Sequence, residues 1–266
     1  MLSQLMNDPD RTTSHSLYWL ALRSASLLAT SLLPFALFMT PAPFGLVVVG
    51  AQWALAAPLL SKFDAKTALG LFWLIFGLAL VWLPWPLPYL LPLACFSGVN
   101  ALPRFRQHFL PWPARGIFNG RTLLLMTLTI VATSCALVTW TEASRPDLST
   151  LSRTLPHGRL SWVIVVALGF SICNAIWEEL LVKWMLWATF ERCQLSPATV
   201  LGGQAGVFGL MHFVGFPSGI VGVSLAAMYG FALGLIRRSS RGIAAPIVTH
   251  FFADLTIFGI VLLSGS

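Results

Sequence analysis

Charged residues are scarce in this chain of 266 residues. Asp, Glu, Lys and Arg together make up 9% of the sequence, whereas 57% of the residues are hydrophobic. A soluble domain carries about 25% charged residues, which it needs to cover its surface. The scarcity of charge therefore excludes an ordinary soluble domain and indicates a protein whose main solvent is lipid.

Close cysteine pairs are also lacking, and so is the residue pattern of a cleavable leader at residues 1–16. No Cys-x-x-Cys motif occurs among the four widely spaced cysteines, Cys95, Cys135, Cys173 and Cys193, so neither a zinc knuckle nor a disulfide framework is indicated. The polar stretch 1–16 has no basic start followed by a short apolar core. We therefore expect no removable signal peptide, and we expect the first transmembrane helix to act as the insertion signal.

Apolar runs of membrane-spanning length, about 20 residues each, fill most of the chain. They predict an all-α fold, a polytopic transmembrane helical bundle of about eight to nine helices. The predicted helices cover about residues 17–39, 44–60, 68–83, 89–102, 122–140, 161–191, 197–214, 220–236 and 243–263. We expect two regions, residues 1–160 with few polar groups inside their helices and residues 161–266 with many.

The net charge of +7 comes from basic residues in the breaks between these runs, which favours a role in membrane orientation over nucleic-acid binding. With nine helices, most of them fall on one side: Lys62, Lys66, Arg104, Arg106, Arg115, Arg121, Arg192, Arg237, Arg238 and Arg241. The positive-inside rule makes that side cytoplasmic. We therefore expect an integral protein of a bacterial inner membrane with a cytoplasmic N-terminus. The loop 141–159, with three arginines on the opposite side, does not follow the rule.

Ionisable residues inside the predicted helices cluster in the last four. An ionisable group in a span costs about 2.5–3.5 kcal/mol and usually faces a cavity or a partner. There are six such groups: Glu178, Glu179, Lys183, His212, His250 and Asp254. In the first five helices there is only Arg23, which lies near an inner end where it can snorkel.

The spacing of these groups indicates how they can pair. Glu179 and Lys183 are four residues apart and can form an ion pair on a helix, while Glu178, rotated by about 100°, is left free to exchange protons. His250 and Asp254 share a face at the same spacing, so the Asp can orient the imidazole. A structural ion pair with a surplus acid and a helix-bound polar pair are the corresponding non-catalytic interpretations.

Phe208 and His212 lie four apart in a third motif. A single His in an apolar helix is often a hydrogen-bonded core residue, but beside a glutamate pair it becomes a candidate acid, base or ligand. Gly202, Gly206 and Gly209 are expected to let neighbouring helices approach closely.

The motifs Glu178-Glu179-x-x-x-Lys183, Phe208-x-x-x-His212 and His250-x-x-x-Asp254 resemble those of the CPBP family of intramembrane proteases. This family comprises the CAAX-processing and bacteriocin-processing enzymes and is also called the Abi family. It carries Glu-Glu-x-x-x-Arg, Phe-x-x-x-His and His-x-x-x-Asn/Asp on successive helices. The resemblance covers about residues 161–260 and implies that the catalytic core lies in the last four helices, within residues 161–266. Lys183 replaces the usual Arg, which keeps the charge but loses the bidentate fork.

The resemblance implies a glutamic-type peptidase without a metal or other cofactor. Glu178 would be the general base that activates water, with His212 as its partner, and His250 and Asp254 would bind or orient the oxyanion. Glu179, Lys183 and Phe208 would support them. A carboxylate at Asp254 cannot stabilise an oxyanion directly, so it would act protonated or through His250. Two His and a Glu could also hold zinc, although the His-Glu-x-x-His signature is absent.

The implied activity is endoproteolysis of a membrane-anchored protein or peptide in or next to the bilayer. The candidate substrates are a leader, a C-terminal sorting signal or a CAAX-like tail, and no nucleic acid is expected. Two other functions stay open. The buried groups could relay ions in a proton-coupled transporter, or the chain could be a non-catalytic scaffold or immunity protein with a degenerate site.

Overall fold

The computed structural model describes residues 9–39, 44–61, 64–102, 112–154 and 159–264. Within these ranges every regular element is a helix, which confirms the predicted all-α polytopic bundle. Lys62, Arg104 and Arg106, which contribute to the predicted orientation, lie outside the described residues.

Among the described residues, the part up to residue 102 forms four helices, and the part from residue 112 onward forms seven with a π-helical segment. The first four are α1 (Pro9–Ala36), α2 (Gly45–Ala56, extended by a 3-10 turn over Ala57–Ser61), α3 (Ala65–Trp82) and α4 (Leu87–Ala101). The others are α5 (Gly120–Ser144), α6 (Ser149–Thr154), α7 (Leu160–Glu179), the π segment (Leu180–Leu186), α8 (Trp187–Arg192), α9 (Pro197–Met211), α10 (Gly219–Ser240) and α11 (Ala244–Ser264).

Each of the nine predicted apolar runs contains a helix, but three of these helices are shorter than a membrane span. Among the described residues six helical stretches are long and apolar enough to cross a bilayer: Ser16–Ala36, Ala65–Trp82, Gly120–Ser144, Leu160–Arg192, Gly219–Ser240 and Ala244–Ser264. Proline lies at an end of two of the short ones, because Pro58 follows the end of α2 and Pro86 caps the start of α4. The third, α9, ends at Met211 instead of the predicted residue 214.

Two compact units divide the chain. The first comprises Met1–Leu110 and Thr189–Leu195. In it, α1 packs on α2 and α3, and α3 packs on α4. An aromatic core of Phe35, Phe72, Trp73 and Phe76 fills these contacts. The indole of Trp73 donates a 2.9 Å hydrogen bond to the Thr189 hydroxyl, which ties this second stretch of the unit to α3.

Arg23, the one ionisable residue inside the first five predicted helices, pairs with Asp64, which directly precedes α3. It is 9% exposed, and its guanidinium donates to both carboxylate oxygens of Asp64 at 2.7 and 2.8 Å. Asp64 also caps α3 by accepting hydrogen bonds from the backbone amides of Lys66 and Thr67. Partial burial by itself would raise the pKa of Asp64, but the Arg23 and backbone hydrogen bonds lower it to about 2.

The second unit comprises Pro111–Ala188 and Ser196–Ser266. There, α9 packs along α10, while α11 packs against α5 and α7. A Cβ on Gly209 would lie 2.6 Å from the carbonyl oxygen of Val223, so this glycine does allow the predicted close approach. Gly202 and Gly206 have no neighbour within 4 Å of such a Cβ, so the prediction is wrong for these two glycines. Both glycines are exposed in the described structure.

An extended stretch before α5, which we call the strap (residues 112–118), holds the start of α11. The backbone amides of Ile243 and Ala244 donate to the carbonyls of Ala114 and Arg115 at 2.9 and 3.1 Å. These two amides lie at the N-terminal end of α11, where a helix has no acceptors of its own. The strap therefore supplies the acceptors for these two amides and positions the helix that carries His250 and Asp254.

Candidate active site

The imidazole of His250 on α11 lies at the centre of a buried cluster of carboxylates. Its Nδ1 donates a hydrogen bond to Glu179 Oε1 at 3.0 Å. Its Nε2 lies 3.6 Å from Glu178 Oε2 and 3.6 Å from Asp254 Oδ1. The ring thus has one carboxylate at one nitrogen and two at the other, and only 3% of His250 is exposed.

Glu178 and Glu179 are the last residues of α7, immediately before the π segment. Consecutive residues diverge by about 100° around a helix. The sequence suggested that Glu178 would point away from the partners of Glu179, but both carboxylates reach His250 and approach different ring nitrogens. Inserted π-helical turns occur frequently at functional sites, and this one directly follows the two acids.

Asn174, one turn before Glu178, bridges two of the carboxylates. Its side-chain amide donates to Glu178 Oε1 and to Asp254 Oδ2, both at 3.2 Å. Sequence analysis missed Asn174, although a polar amide four residues before a buried acid in an apolar helix is a usable signal. The bridge sets the position of the carboxylate of Glu178 relative to that of Asp254.

Lys183 supplies a buried positive charge next to Glu179. Its side chain is fully buried, and its Nζ lies 4.0 Å from Glu179 Oε2, so the predicted ion pair is present in the structure. The Nζ also lies 4.9 Å from the centroid of the Phe208 ring. Charges removed from water need a partner, and Glu179 has two here, Lys183 and His250.

His212 follows the last residue of α9 and so ends the helix instead of continuing it. Its Nδ1 lies 2.9 Å from the Phe208 carbonyl oxygen. A carbonyl only accepts, so Nδ1 carries the proton, and in the neutral ring Nε2 is left as an acceptor. The rings of Phe208 and His212 are 4.8 Å apart, and those of Phe208 and His250 are 5.7 Å apart. In the described part of the chain, His212 joins the cluster through Phe208 and not through a bond to Glu178.

A cavity of about 330 Å³ lies beside this cluster. Its polar wall includes His212, His250, Asp254 and Tyr229. Its other walls are mainly apolar side chains of α5, α10 and α11, among them Leu125, Leu128, Ala132, Ala136, Met228, Ala232 and Ile257. Such a pocket, apolar with a few convergent polar groups, has the usual character of a ligand site.

Tyr229 on α10 is the second residue that sequence analysis missed. Its ring lies 5.7 Å from the His250 ring and 6.1 Å from the Phe208 ring, edge-on to both. Nothing in the sequence around it marks it, because it is one aromatic residue in an apolar helix. Only the packing of α10 against α11 brings it to the imidazole.

The His, Asp and Glu side chains around His250 are of the types that can bind a metal ion. Over the ranges that the structure describes, no group of three or more His, Cys, Asp or Glu side chains is arranged to hold a metal ion. The oxygen and nitrogen atoms around His250 instead form hydrogen bonds and ion pairs with one another.

Residues 160–256, which include every motif of this site, match a family model described as Rce1-like, type II CAAX prenyl endopeptidase Rce1-like. This segment belongs to the CAAX-protease family. The match covers a little more than a third of the chain and coincides with the predicted resemblance. No curated protein and no solved structure matches the chain.

The family and the fold together establish the general activity. The chain is an integral membrane protein, and the match of its residues 160–256 supports, in general, a CAAX-type intramembrane endopeptidase with a membrane-embedded peptide or protein substrate. The match thus supports the predicted membrane proteolysis at this general level, and the Rce1-like segment contains all of the clustered residues.

Proposed function

We propose that this protein hydrolyses a peptide bond of a membrane-anchored substrate by means of water activated between Glu178 and His212, without a metal. The observation that carries the proposal is the cluster around His250, in which Glu178 and Asp254 lie at the nitrogen opposite Glu179, beside a cavity that His212 also lines. A buried acid, an acceptor nitrogen and an apolar cavity are the parts that such a hydrolysis needs.

Glu178 is the proposed general base. One of its oxygens accepts from Asn174, whereas Oε2 makes no hydrogen bond with the described residues and is available to take a proton. The attacking water loses that proton to Glu178 as its oxygen bonds to the carbonyl carbon. The carbon–nitrogen bond then breaks, and the leaving nitrogen receives the proton. The acceptor Nε2 of His212 orients the same water.

His250 and Asp254 are the proposed oxyanion side of the site. When His250 is an imidazolium, Nδ1 donates to Glu179 and Nε2 has a proton to donate. Asp254, as a carboxylate, accepts hydrogen bonds and therefore contributes by stabilising that charged ring, which is 3.6 Å away. Asp254 could act on the oxyanion in its protonated form or indirectly through His250. The distance between Asp254 and His250 supports the indirect role.

The proposed substrate is a protein or peptide with an apolar anchor, such as a leader, a C-terminal sorting signal or a CAAX-like tail. The description of the matched family names a prenyl endopeptidase, and the mainly apolar cavity suits a hydrophobic segment next to the cleaved bond. We place the catalytic core in residues 161–266 and assign no role to residues 1–160, although α5 lines the cavity.

The proposed location is a bacterial inner membrane with a cytoplasmic N-terminus. Arg237 and Arg238 in the last turn of α10 and Arg241 directly after it support a cytoplasmic position for that end of the helix. A reporter fused to the N-terminus or inserted after Arg241 tests this orientation.

The decisive experiment compares the protein termini of cells that make the native chain with those of cells that make Glu178→Gln at the same level. Gln keeps the shape of the side chain but cannot act as a base. Glu142→Gln, which changes an exposed acid, is the matched control. We expect new termini in cells with the native chain and with Glu142→Gln, and none with Glu178→Gln.

Identical termini in all three strains, with each protein folded in the membrane, would show that the chain does not act as a protease. The buried ionisable cluster would then fit a proton-coupled transporter, which should lose flux in Glu178→Gln, or a scaffold, which should lose nothing.

A further inference from the structure

One polar group in the candidate active site has no role in the chemistry proposed above. The hydroxyl oxygen of Tyr229 is buried and makes no hydrogen bond within the described part of the chain. Leaving a buried hydroxyl without a partner costs free energy. Phe would fill the same space against Phe208 and His250, so packing explains the ring but not the hydroxyl.

The position of Tyr229 connects this hydroxyl with catalysis. The residue lines the same cavity as His212, His250 and Asp254, and its ring is perpendicular to that of His250, with an interplanar angle of 87°. A substrate that occupies the cavity thus meets Tyr229 together with His212, His250 and Asp254.

Hydrogen-bond donors are scarce among the charged and acidic groups of the cluster. Asp254 and Glu178 are acceptors when ionised, and His212 presents an acceptor nitrogen in its neutral form. The amide of Asn174 already donates to two carboxylates. His250 can donate from Nε2 only when its ring carries both protons. A phenol donates in every case.

We infer that the Tyr229 hydroxyl is a further catalytic group, which donates a hydrogen bond to the carbonyl oxygen of the substrate as negative charge develops on it. This inference rests on the proposed peptidase function. When water attacks, an electron pair of the carbonyl moves onto its oxygen, and Tyr229 stabilises that oxyanion without giving up its proton. The pair returns when the carbon–nitrogen bond breaks, and the proton held by Glu178 goes to the leaving nitrogen.

The test uses Tyr229→Phe in the full-length protein, with Tyr18→Phe, which changes a tyrosine that is 64% exposed, as the matched control. The substrate is the one identified by its Glu178-dependent termini, assayed with purified protein in detergent or lipid vesicles. We expect kcat to fall about 10²–10³-fold, as for the loss of one oxyanion donor. KM and the thermal unfolding midpoint should stay near those of the native protein.

A binding measurement separates this role from a purely structural one. A phosphinate peptide that mimics the tetrahedral intermediate at the same cleavage site should bind Tyr229→Phe more weakly, by about the factor lost in kcat. The uncleaved substrate should bind Glu178→Gln and the double variant Glu178→Gln/Tyr229→Phe equally well.

Two results would overturn the inference while leaving the peptidase function intact: a kcat within about threefold of the native value, or a rise in KM with an unchanged kcat. Failure of the peptidase proposal has a different signature. Glu178→Gln would then leave every terminus unchanged, and the inference about Tyr229 would fall with it.

Discussion

His250 and Glu179 are joined by a 3.0 Å hydrogen bond, which Nδ1 of the imidazole donates to Oε1 of the carboxylate. The same glutamate lies 4.0 Å from the Lys183 ammonium through its other oxygen. Glu179 is itself fully buried. It therefore connects two groups that are hard to accommodate in an apolar interior, the Lys183 ammonium and the His250 imidazole. It also orients the imidazole so that Nε2 faces Glu178 and Asp254.

Replacement of Glu179 should destabilise the protein mainly through Lys183. Glu179→Gln leaves a buried ammonium without its carboxylate, and loss of one partner of a buried pair costs about 3–5 kcal/mol. Lys183→Met in the same background removes that charge and should restore part of the loss. Chemical unfolding of the native protein, the two single variants and the double variant in detergent measures this coupling. Strictly additive effects would contradict it.

Asn174 should matter for activity without being a reacting group. Asn174→Leu removes the amide that bridges Glu178 and Asp254 and leaves two buried oxygens without their donor, at a cost of about 1–3 kcal/mol. We expect cleavage to slow roughly 10–100-fold, since each 1.36 kcal/mol is a factor of ten. Cys173→Ser, at the exposed neighbouring position, is the control. Equal rates for both variants would mean that the bridge does not position Glu178.

The cavity wall supplied by α5 should control substrate access. Ala132→Phe places a ring in a space of only about 330 Å³ and leaves the charged cluster untouched. We expect KM to rise at least about tenfold or cleavage to stop, with little change in stability. Leu124→Phe, on the same helix at a 59% exposed position that does not line the cavity, should behave like the native protein. If Ala132→Phe cleaves normally, the substrate uses another route.

The strap should be sensitive to a single methyl group. Gly116 has a φ of +89°, and a Cβ there would lie 2.7 Å from the Ser240 carbonyl oxygen and 2.8 Å from Gly242 Cα. Gly116→Ala should therefore lower the free energy of unfolding by about 1–3 kcal/mol and reduce cleavage, because the start of α11 moves. Gly120→Ala, where a Cβ meets nothing within 4 Å, should be neutral or stabilising by up to about 1 kcal/mol. Equal stabilities of the two variants would contradict the strap's role.

The Arg23–Asp64 pair should make the stability of the first unit depend on pH in the acid range. The pKa of Asp64 is lowered from 3.8 to about 2 in the folded protein. The charge of Asp64 therefore adds to the free energy of unfolding in full above about pH 4, and this contribution is lost as the pH falls toward 2. Asp64→Asn keeps a helix cap but removes the charge. Because Asp64 is about one-third exposed, we expect a difference of no more than about 1 kcal/mol between the native protein and Asp64→Asn at pH 5.

This difference should shrink as the pH is lowered, in unfolding curves recorded in detergent between pH 5 and 2. A difference that stays constant over this range would mean that the charge of Asp64 does not contribute to folding.

Several features of the fold follow directly from local sequence. Long apolar runs predict helices because a bilayer leaves no other way to satisfy the backbone. Their ends were less predictable: α9 stops at Met211 because the His212 side chain bonds back to the Phe208 carbonyl. The short helix α6, within the predicted polar loop 141–159, has no apolar periodicity that would announce it.

By itself, the sequence determined that the chain lies in a membrane, that it is helical, and that the ionisable groups inside its helices, apart from Arg23, lie in the last four. It also identified the CAAX-protease motifs. These properties depend on composition and on spacing within one helix. The tertiary structure alone decided that both glutamates reach His250, that Asn174 bridges Glu178 and Asp254, and that α5 and Tyr229 line the cavity. Such contacts join helices far apart in the chain, and helical periodicity specifies which residues share a face but not which faces meet.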